Sequence, residues 1–217
     1  MKDVLIDEKG PVLGLKSGKA ANKLYLCKRF DLDESKPLFS FIGRLVYEKG
    51  ADLFPSIVYK SLLKEKINIL ILGTGDKAVE SELKSLRVHF NKAYACAIGY
   101  DEQLAHQMYA GSDFLLMPSR IEPCGLNQMY ALRYGTIPVV RRIGGLRDTV
   151  TDIGDGGFGI CHDQASVQDV CDAIERAVAL FEKKDQFFKI IEKCMLLDHS
   201  WDKSAQEYLT LYKSLTP

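Results

Sequence analysis

Short runs of nearly uninterrupted apolar residues recur along the chain at 38–42, 67–72, 93–98, 114–117, 136–140 and, more weakly, 158–161. Between them lie stretches with helical spacing of apolar residues, at 51–64, 77–89, 102–110, 126–134 and 146–152. A strand that is apolar on both faces must be covered on both, and helices alternating with strands supply that cover in a parallel sheet. The pattern predicts a doubly wound α/β domain with a Rossmann-like parallel sheet of about six strands. Helical stretches at 166–182, 184–197 and 203–214 follow the last strand, and Phe187, Phe188, Trp201, Tyr208 and Tyr212 give them a large apolar face. Residues 1–36, rich in Lys, Gly and Asp without a firm period, read as an incoming linker with one short helix around 19–30. Residues 37–200 then form the sheet domain and 201–217 a C-terminal helix.

Composition narrows the classes of function. The 29 basic and 29 acidic residues cancel, whereas a nucleic-acid-binding domain draws its affinity from a basic excess; no nucleic-acid partner is expected. With 47% hydrophobic residues the chain can bury one substantial core, which argues against global disorder. No apolar run approaches the roughly 20 residues needed to cross a bilayer. The opening Met1-Lys2-Asp3-Val4 leads into Asp7-Glu8-Lys9 rather than an apolar signal core, so a soluble, cytoplasmic protein without a membrane partner is expected. The cysteines Cys27, Cys96, Cys124, Cys161, Cys171 and Cys194 form no Cys-x-x-Cys pair, and the histidines are scattered. Zinc needs four converging ligands; no metal is expected, and the thiols are expected reduced and mostly buried.

In open α/β sheets ligands bind beyond the carboxyl ends of the strands, and the unusual residues of this sequence fall on those loops. The loop after the first strand is Gly43-Arg44-Leu45-Val46-Tyr47-Glu48-Lys49-Gly50, and Gly73-Thr74-Gly75-Asp76 and Gly99-Tyr100-Asp101 follow the second and third. Pro118-Ser119-Arg120-Ile121-Glu122-Pro123-Cys124-Gly125 follows the fourth, and Arg141-Arg142-Ile143-Gly144-Gly145 the fifth. Arg44 and Lys49 on one glycine-flanked loop suit a pyrophosphate, Arg as a fork and Lys as a point charge; the competing account is a pair of solvated charges. Pro123 and Gly125 set up a helix start whose backbone N–H groups suit an anion. Glu122 is placed either to accept from sugar hydroxyls or to complement the helix dipole. Gly144-Gly145 offers a second backbone cradle, and Tyr100 either stacks on a nucleobase or caps the core. Gly73-Thr74-Gly75-Asp76-Lys77-Ala78 also fits Gly-x-Gly-x-x-Ala, with Asp101 downstream as a ribose ligand, although an ordinary turn explains it equally well.

The stretch from Ser119 through Glu122-Pro123-Cys124-Gly125-Leu126-Asn127-Gln128-Met129-Tyr130 to Gly144-Gly145-Leu146-Arg147-Asp148-Thr149-Val150 closely resembles the signature of bacterial glycogen synthases and plant starch synthases. Gly43-Arg44-Leu45 with Lys49-Gly50, Leu72-Gly73-Thr74-Gly75-Asp76, Gly99-Tyr100 and the final Ser200-Trp201 helix match the same family in order and spacing. The resemblance implies a two-domain retaining glycosyltransferase of GT-B architecture (family 5), of which this chain is the C-terminal, donor-binding half. The Lys-x-Gly-Gly-Leu loop that opens the family's other half does not occur here, so a missing N-terminal domain is an implied partner, with the last helix reaching it.

Carried over by position, the resemblance gives Arg44 and Lys49 to the donor's diphosphate, Gly125 and Leu126 as N–H donors to it, Tyr100 to the adenine and Glu122 to the donor glucose. Gly43, Gly75, Cys124, Gly144 and Gly145 complete the implied nucleotide site. Related transferases often repeat a glutamate eight positions after the first; this chain has Tyr130 there, and glycogen and starch synthases also tend to lack that glutamate. The implied reaction moves glucose from ADP-glucose to an α-glucan acceptor without cofactor or metal, and the isolated half is expected inactive. A transferase using UDP- or GDP-sugars and a non-catalytic nucleotide-binding module are the alternatives.

Overall fold

The computed structural model describes residues 15–215; the first 14 residues of the expected linker lie outside them. The strands β1 (Leu38–Ile42), β2 (Asn68–Gly73), β3 (Tyr94–Ile98), β4 (Phe114–Met117), β5 (Ile137–Arg141) and β6 (Ile160–His162) form one parallel sheet in the order β3-β2-β1-β4-β5-β6. The strand order reverses between β1 and β4, and a crevice opens at their carboxyl ends.

The helices are α1 (Leu15–Phe30), α2 (Phe54–Leu62), α3 (Lys77–His89), α4 (Glu102–Gly111), α5 (Asn127–Arg133), α6 (Gly144–Thr149), α7 (Val167–Glu182), α8 (Lys184–Met195) and α9 (Trp201–Leu215). Alternate strand residues face opposite layers. Phe39, Phe41, Ile69, Ile71, Phe114 and Val139 bury against α2, α3, α7 and α8. Leu38, Leu70 and Leu72 pack on α1 and α4, while Leu115, Met117 and Val140 meet α5 and α6. The expected helix over 51–64 divides into a 3-10 turn, Ala51–Leu53, and α2, whose first turn holds Pro55 where no donor is required. The helix expected at 146–152 begins at Gly144 and ends by Thr149.

The N-terminal side departs most from expectation. The helix begins at Leu15, and its inward stripe contains two lysines, Lys19 and Lys23, alongside Leu26 and Cys27. Lys23 pairs with Asp113 at 2.8 Å, and the same carboxylate accepts from the Leu38 N–H at 2.8 Å. Lys19 donates to Thr136 Oγ1 at 2.5 Å and to the Tyr134 carbonyl at 3.2 Å. Burial lowers its pKa to about 7 despite the opposing charge of Asp113. The helix from Lys19 to Phe30 therefore belongs to the packed body, because its lysines find acceptors distant in sequence.

At the other end, α9 buries no side chain, and Trp201 is 89% exposed. Cys27, Cys161 and Cys194 are buried, Cys96 and Cys171 partly so and Cys124 exposed, all as free thiols. Burial pushes the Cys194 thiol up to about 12. Among the described residues no helix is long and apolar enough to cross a membrane.

Candidate functional site

The loop after β1 and the loop after β4 meet above the crevice, and the meeting is made by charge. Lys49, in the 3-10 turn Tyr47–Lys49, places its Nζ 2.5 Å from Glu122 Oε2. Glu122 is only 6% exposed, and the Ser119 hydroxyl donates to the same oxygen at 3.2 Å. Two residues assigned from the sequence to different parts of one donor, the lysine to phosphate and the glutamate to sugar, thus touch. A ligand bridging them would lie with its anionic part toward the ammonium and its hydroxyls toward the carboxylate.

Glu122 is also held from below. The Gly145 N–H donates to the Glu122 carbonyl at 3.1 Å. A Cβ on Gly144 would lie 2.1 Å from that carbonyl oxygen, and one on Gly145 would lie 1.9 Å from the Cys124 carbonyl oxygen. The Gly144-Gly145 pair is therefore the surface on which the β4–α5 loop rests, and the Gly145 amide expected to face an anion is already engaged. Gly125 turns the chain with φ +75°, and the buried Gln128 locks that turn by donating to the Gly125 carbonyl at 2.9 Å and to Thr149 Oγ1 at 3.1 Å. Leu126, immediately before α5, is exposed beside the exposed Cys124. The first turn of a helix leaves its N–H groups without partners of its own.

The loops after β1, β2 and β3 also enclose a cleft of about 420 Å³. Gly43 and Arg44 from the β1 loop, Gly73 and Thr74 from the β2 loop, and Gly99 and Tyr100 from the β3 loop line it. Tyr100 is 86% exposed, which removes the core-cap account of that residue. Asn127 opens α5, lines the cleft, and donates to the Ile42 carbonyl at 2.6 Å, which ties the start of that helix to the end of β1.

Gly75 stands apart from this lining. Its N–H donates to Glu80 Oε1 at 2.9 Å, and a Cβ there would lie 2.3 Å from the Leu45 carbonyl oxygen. The glycine lets the β2 loop press on the β1 loop, and its amide is not open to a nucleotide. Asp76 accepts from the N–H groups of Ala78 and Val79, and Asp101 from that of Leu104. Both are helix N-caps, which explains the Gly-x-Gly-x-x-Ala pattern as a turn leading into a capped helix.

His106, Tyr109 and Tyr130 also line the cleft and were not singled out as candidate ligands. The signal for two of them lay in helical spacing: Glu102, Ala105, His106 and Tyr109 form one stripe of α4, and all four face the cleft. Among the described residues no group of three or more His, Cys, Asp or Glu is gathered as for a metal ion.

The chain is 56% identical over 214 residues to a glycogen synthase of Flavobacterium johnsoniae, covering 98% of this chain and 45% of that protein. It is 40% identical over 203 residues to a glycogen synthase of Bacillus subtilis, covering 91% and 42%. The fold matches the catalytic domain of starch synthase IV from Arabidopsis thaliana, solved bound to ADP and acarbose, with a TM-score of 0.82 and 35% identity over 90% of this chain and 42% of that one. The chain thus spans about half the length of the curated relatives it matches. Residues 27–193, which take in every strand and both loops of the Lys49–Glu122 pair, match the family described as glycosyl transferases group 1, and the chain belongs to that family.

Proposed function

We propose that this chain is the donor-nucleotide half of a retaining glucosyltransferase that elongates an α-1,4-glucan from ADP-glucose. The observation that carries the reading is that, on the strand-end loops of one sheet edge, Arg44 and Tyr100 wall an open cleft and Lys49 pairs with Glu122. Identity to glycogen synthases and likeness to a starch synthase bound to ADP supply the donor and acceptor class.

In the proposed reaction the bond between the glucose anomeric carbon and the diphosphate breaks, a bond to the 4-hydroxyl oxygen at the glucan's non-reducing end forms, and that hydroxyl's proton passes to the departing diphosphate oxygen. Negative charge grows on the departing diphosphate. Arg44 and Lys49, fixed before the reaction, stabilise that charge more than they stabilise bound substrate, which accelerates the step. They take the neutralising role without a metal in this scheme. Tyr100 stacks on the adenine, Glu122 orients glucose hydroxyls, and the amides of Gly125 and Leu126 donate to phosphate oxygens. Glucan contacts belong mostly to an N-terminal domain, toward which the exposed aromatic residues of α9 are available.

Calorimetric titration of this chain with ADP and with UDP tests the reading. ADP binding in preference to UDP is expected, with Tyr100→Ala weakening it by about 1–3 kcal/mol, the scale of base–aromatic stacking, at unchanged melting temperature. Absence of ADP binding, or indifference to Tyr100→Ala, contradicts it. Glucan elongation by this chain alone would contradict the division of labour.

A further inference from the structure

We propose that Arg120 and Asp52 are positioning residues for the diphosphate grip: their ion pair fixes the loop that carries Lys49 to the loop that carries Glu122. The inference rests on the reading of the site given above.

The chain on both sides of Lys49 is tied to the residues just before Glu122. Asp52, three positions after the lysine, receives both arms of the Arg120 guanidinium, Nη1 to Oδ1 at 2.5 Å and Nη2 to Oδ2 at 2.8 Å. Tyr47, two positions before it, lies under the same guanidinium at 3.9 Å from ring centroid to Cζ, and its carbonyl accepts from Nη1 at 3.0 Å. Glu48, directly before it, accepts from the N–H groups of Arg120 at 2.8 Å and Ile121 at 3.1 Å. Gly50, directly after it, turns with φ +70° so close to the β4 loop that a Cβ would lie 2.5 Å from the Pro118 carbonyl oxygen. From the opposite side Arg141, at the end of β5, donates to the Arg120 carbonyl at 3.2 Å and to the Asp163 carbonyl at 2.9 Å.

Arg120 is thereby excluded as a phosphate ligand in its own right, since its fork is filled by a carboxylate, its Nη1 is shared with a carbonyl and one face is covered by a ring. What it supplies is geometry. A lysine ammonium rides on a flexible four-carbon stem, so it meets a fixed point only if its backbone is held. A planar, two-bonded pair holds orientation in a way a single charge contact does not. Without it, binding a diphosphate has to order the Lys49 loop as well as grip the ligand, and affinity falls by the cost of that ordering.

The test is calorimetric titration of the 217-residue chain with ADP, comparing wild type, Lys49→Ala, Asp52→Ala, Arg120→Lys and the double variant Lys49→Ala/Asp52→Ala, with thermal melts to select folded proteins. Asp52→Ala is expected to weaken ADP binding roughly fivefold to tenfold when Lys49 is present and less than about twofold when it is absent, because groups acting through one another are not additive. Arg120→Lys, which keeps the charge and loses the fork, is expected to behave like Asp52→Ala; it decides the matter if Asp52→Ala does not fold. Wild-type affinity in Asp52→Ala and Arg120→Lys beside an impaired Lys49→Ala overturns the positioning role and leaves the site reading standing. An equal loss in both backgrounds also overturns it. Wild-type affinity in Lys49→Ala overturns the site reading and the inference together.

Discussion

The Lys49 ammonium lies 2.5 Å from the Glu122 carboxylate, and this contact joins two loops 73 residues apart in sequence. The carboxylate is almost wholly buried and the lysine partly so. Removing one partner of such a pair costs more than removing both, because the survivor keeps its desolvation penalty. Lys49→Ala is therefore expected to lower stability and to weaken ADP binding by about 1–3 kcal/mol, the scale of a charge-assisted contact. Adding Glu122→Gln should recover much of the stability but not the ADP affinity. Urea melts and calorimetry on the single and double variants check both halves; recovery of affinity would show that the lysine does not meet the nucleotide.

Gly145→Ala is expected to destabilise the domain by about 2 kcal/mol or more, on the scale of overpacking against fixed atoms, since its Cβ would fall 1.9 Å from a backbone carbonyl oxygen. It should also displace the Glu122 turn and weaken ADP binding. Gly156→Ala provides the contrast: φ is +74° there and nothing lies within 4 Å of the added carbon. Only the left-handed strain of about 1 kcal/mol is then expected, with ADP affinity unchanged. Thermal melts and ADP titrations of the two variants make the comparison.

Glu80 predicts an acid dependence. Its carboxyl is held at about 2 against an ordinary 4.5, first by the Gly75 N–H and then by the Thr74 hydroxyl and Lys77. A carboxyl lowered in the folded state adds stability that is fully present above the unfolded value and is lost as pH falls toward the folded one. Stability supplied by Glu80 should therefore disappear between pH 4.5 and pH 2. In Glu80→Gln that part of the acid-induced loss should be missing; urea midpoints collected across this window for both proteins decide, and parallel curves would contradict the assignment.

Removing α9 should leave the rest of the domain as stable as before, within about 0.5 kcal/mol, as for changes away from buried contacts, since the helix buries none of its side chains. A chain ending after residue 199 should melt at the same temperature. A large drop would mean that α9 packs on the domain in solution.

The fold was legible because sheet strands covered on both faces must be apolar along most of their length, and Ile69, Leu70, Ile71 and Leu72 of β2 and Phe114–Met117 show that in the sequence as in the burial. α1 is legible only as a short helix around 19–30 inside a linker, and its place in the core is not, for the opposite reason. Its inward stripe carries Lys19 and Lys23, whose acceptors Thr136 and Asp113 are about a hundred residues away, so its apolar period is broken where it is most buried. In the site, Lys49, Glu122, Arg44 and Tyr100 stand out as charged or aromatic residues on strand-end loops; the fold sets Arg44 and Tyr100 on one cleft and Lys49 against Glu122. The glycines were harder to read. A glycine that admits a phosphate and one that admits a neighbouring carbonyl are identical in sequence, and Gly75 and Gly145 turn out to serve carbonyls of Leu45 and Cys124.

Whether this rim grips a nucleoside diphosphate is decided by a crystal structure of the chain with ADP. Diphosphate oxygens are expected within hydrogen-bonding distance of the Arg44 guanidinium and the Lys49 ammonium, next to the Gly125-Leu126 turn, with adenine against the Tyr100 ring. A nucleotide bound elsewhere, or bound here with Lys49 still closed on Glu122 and touching no phosphate, would contradict that grip.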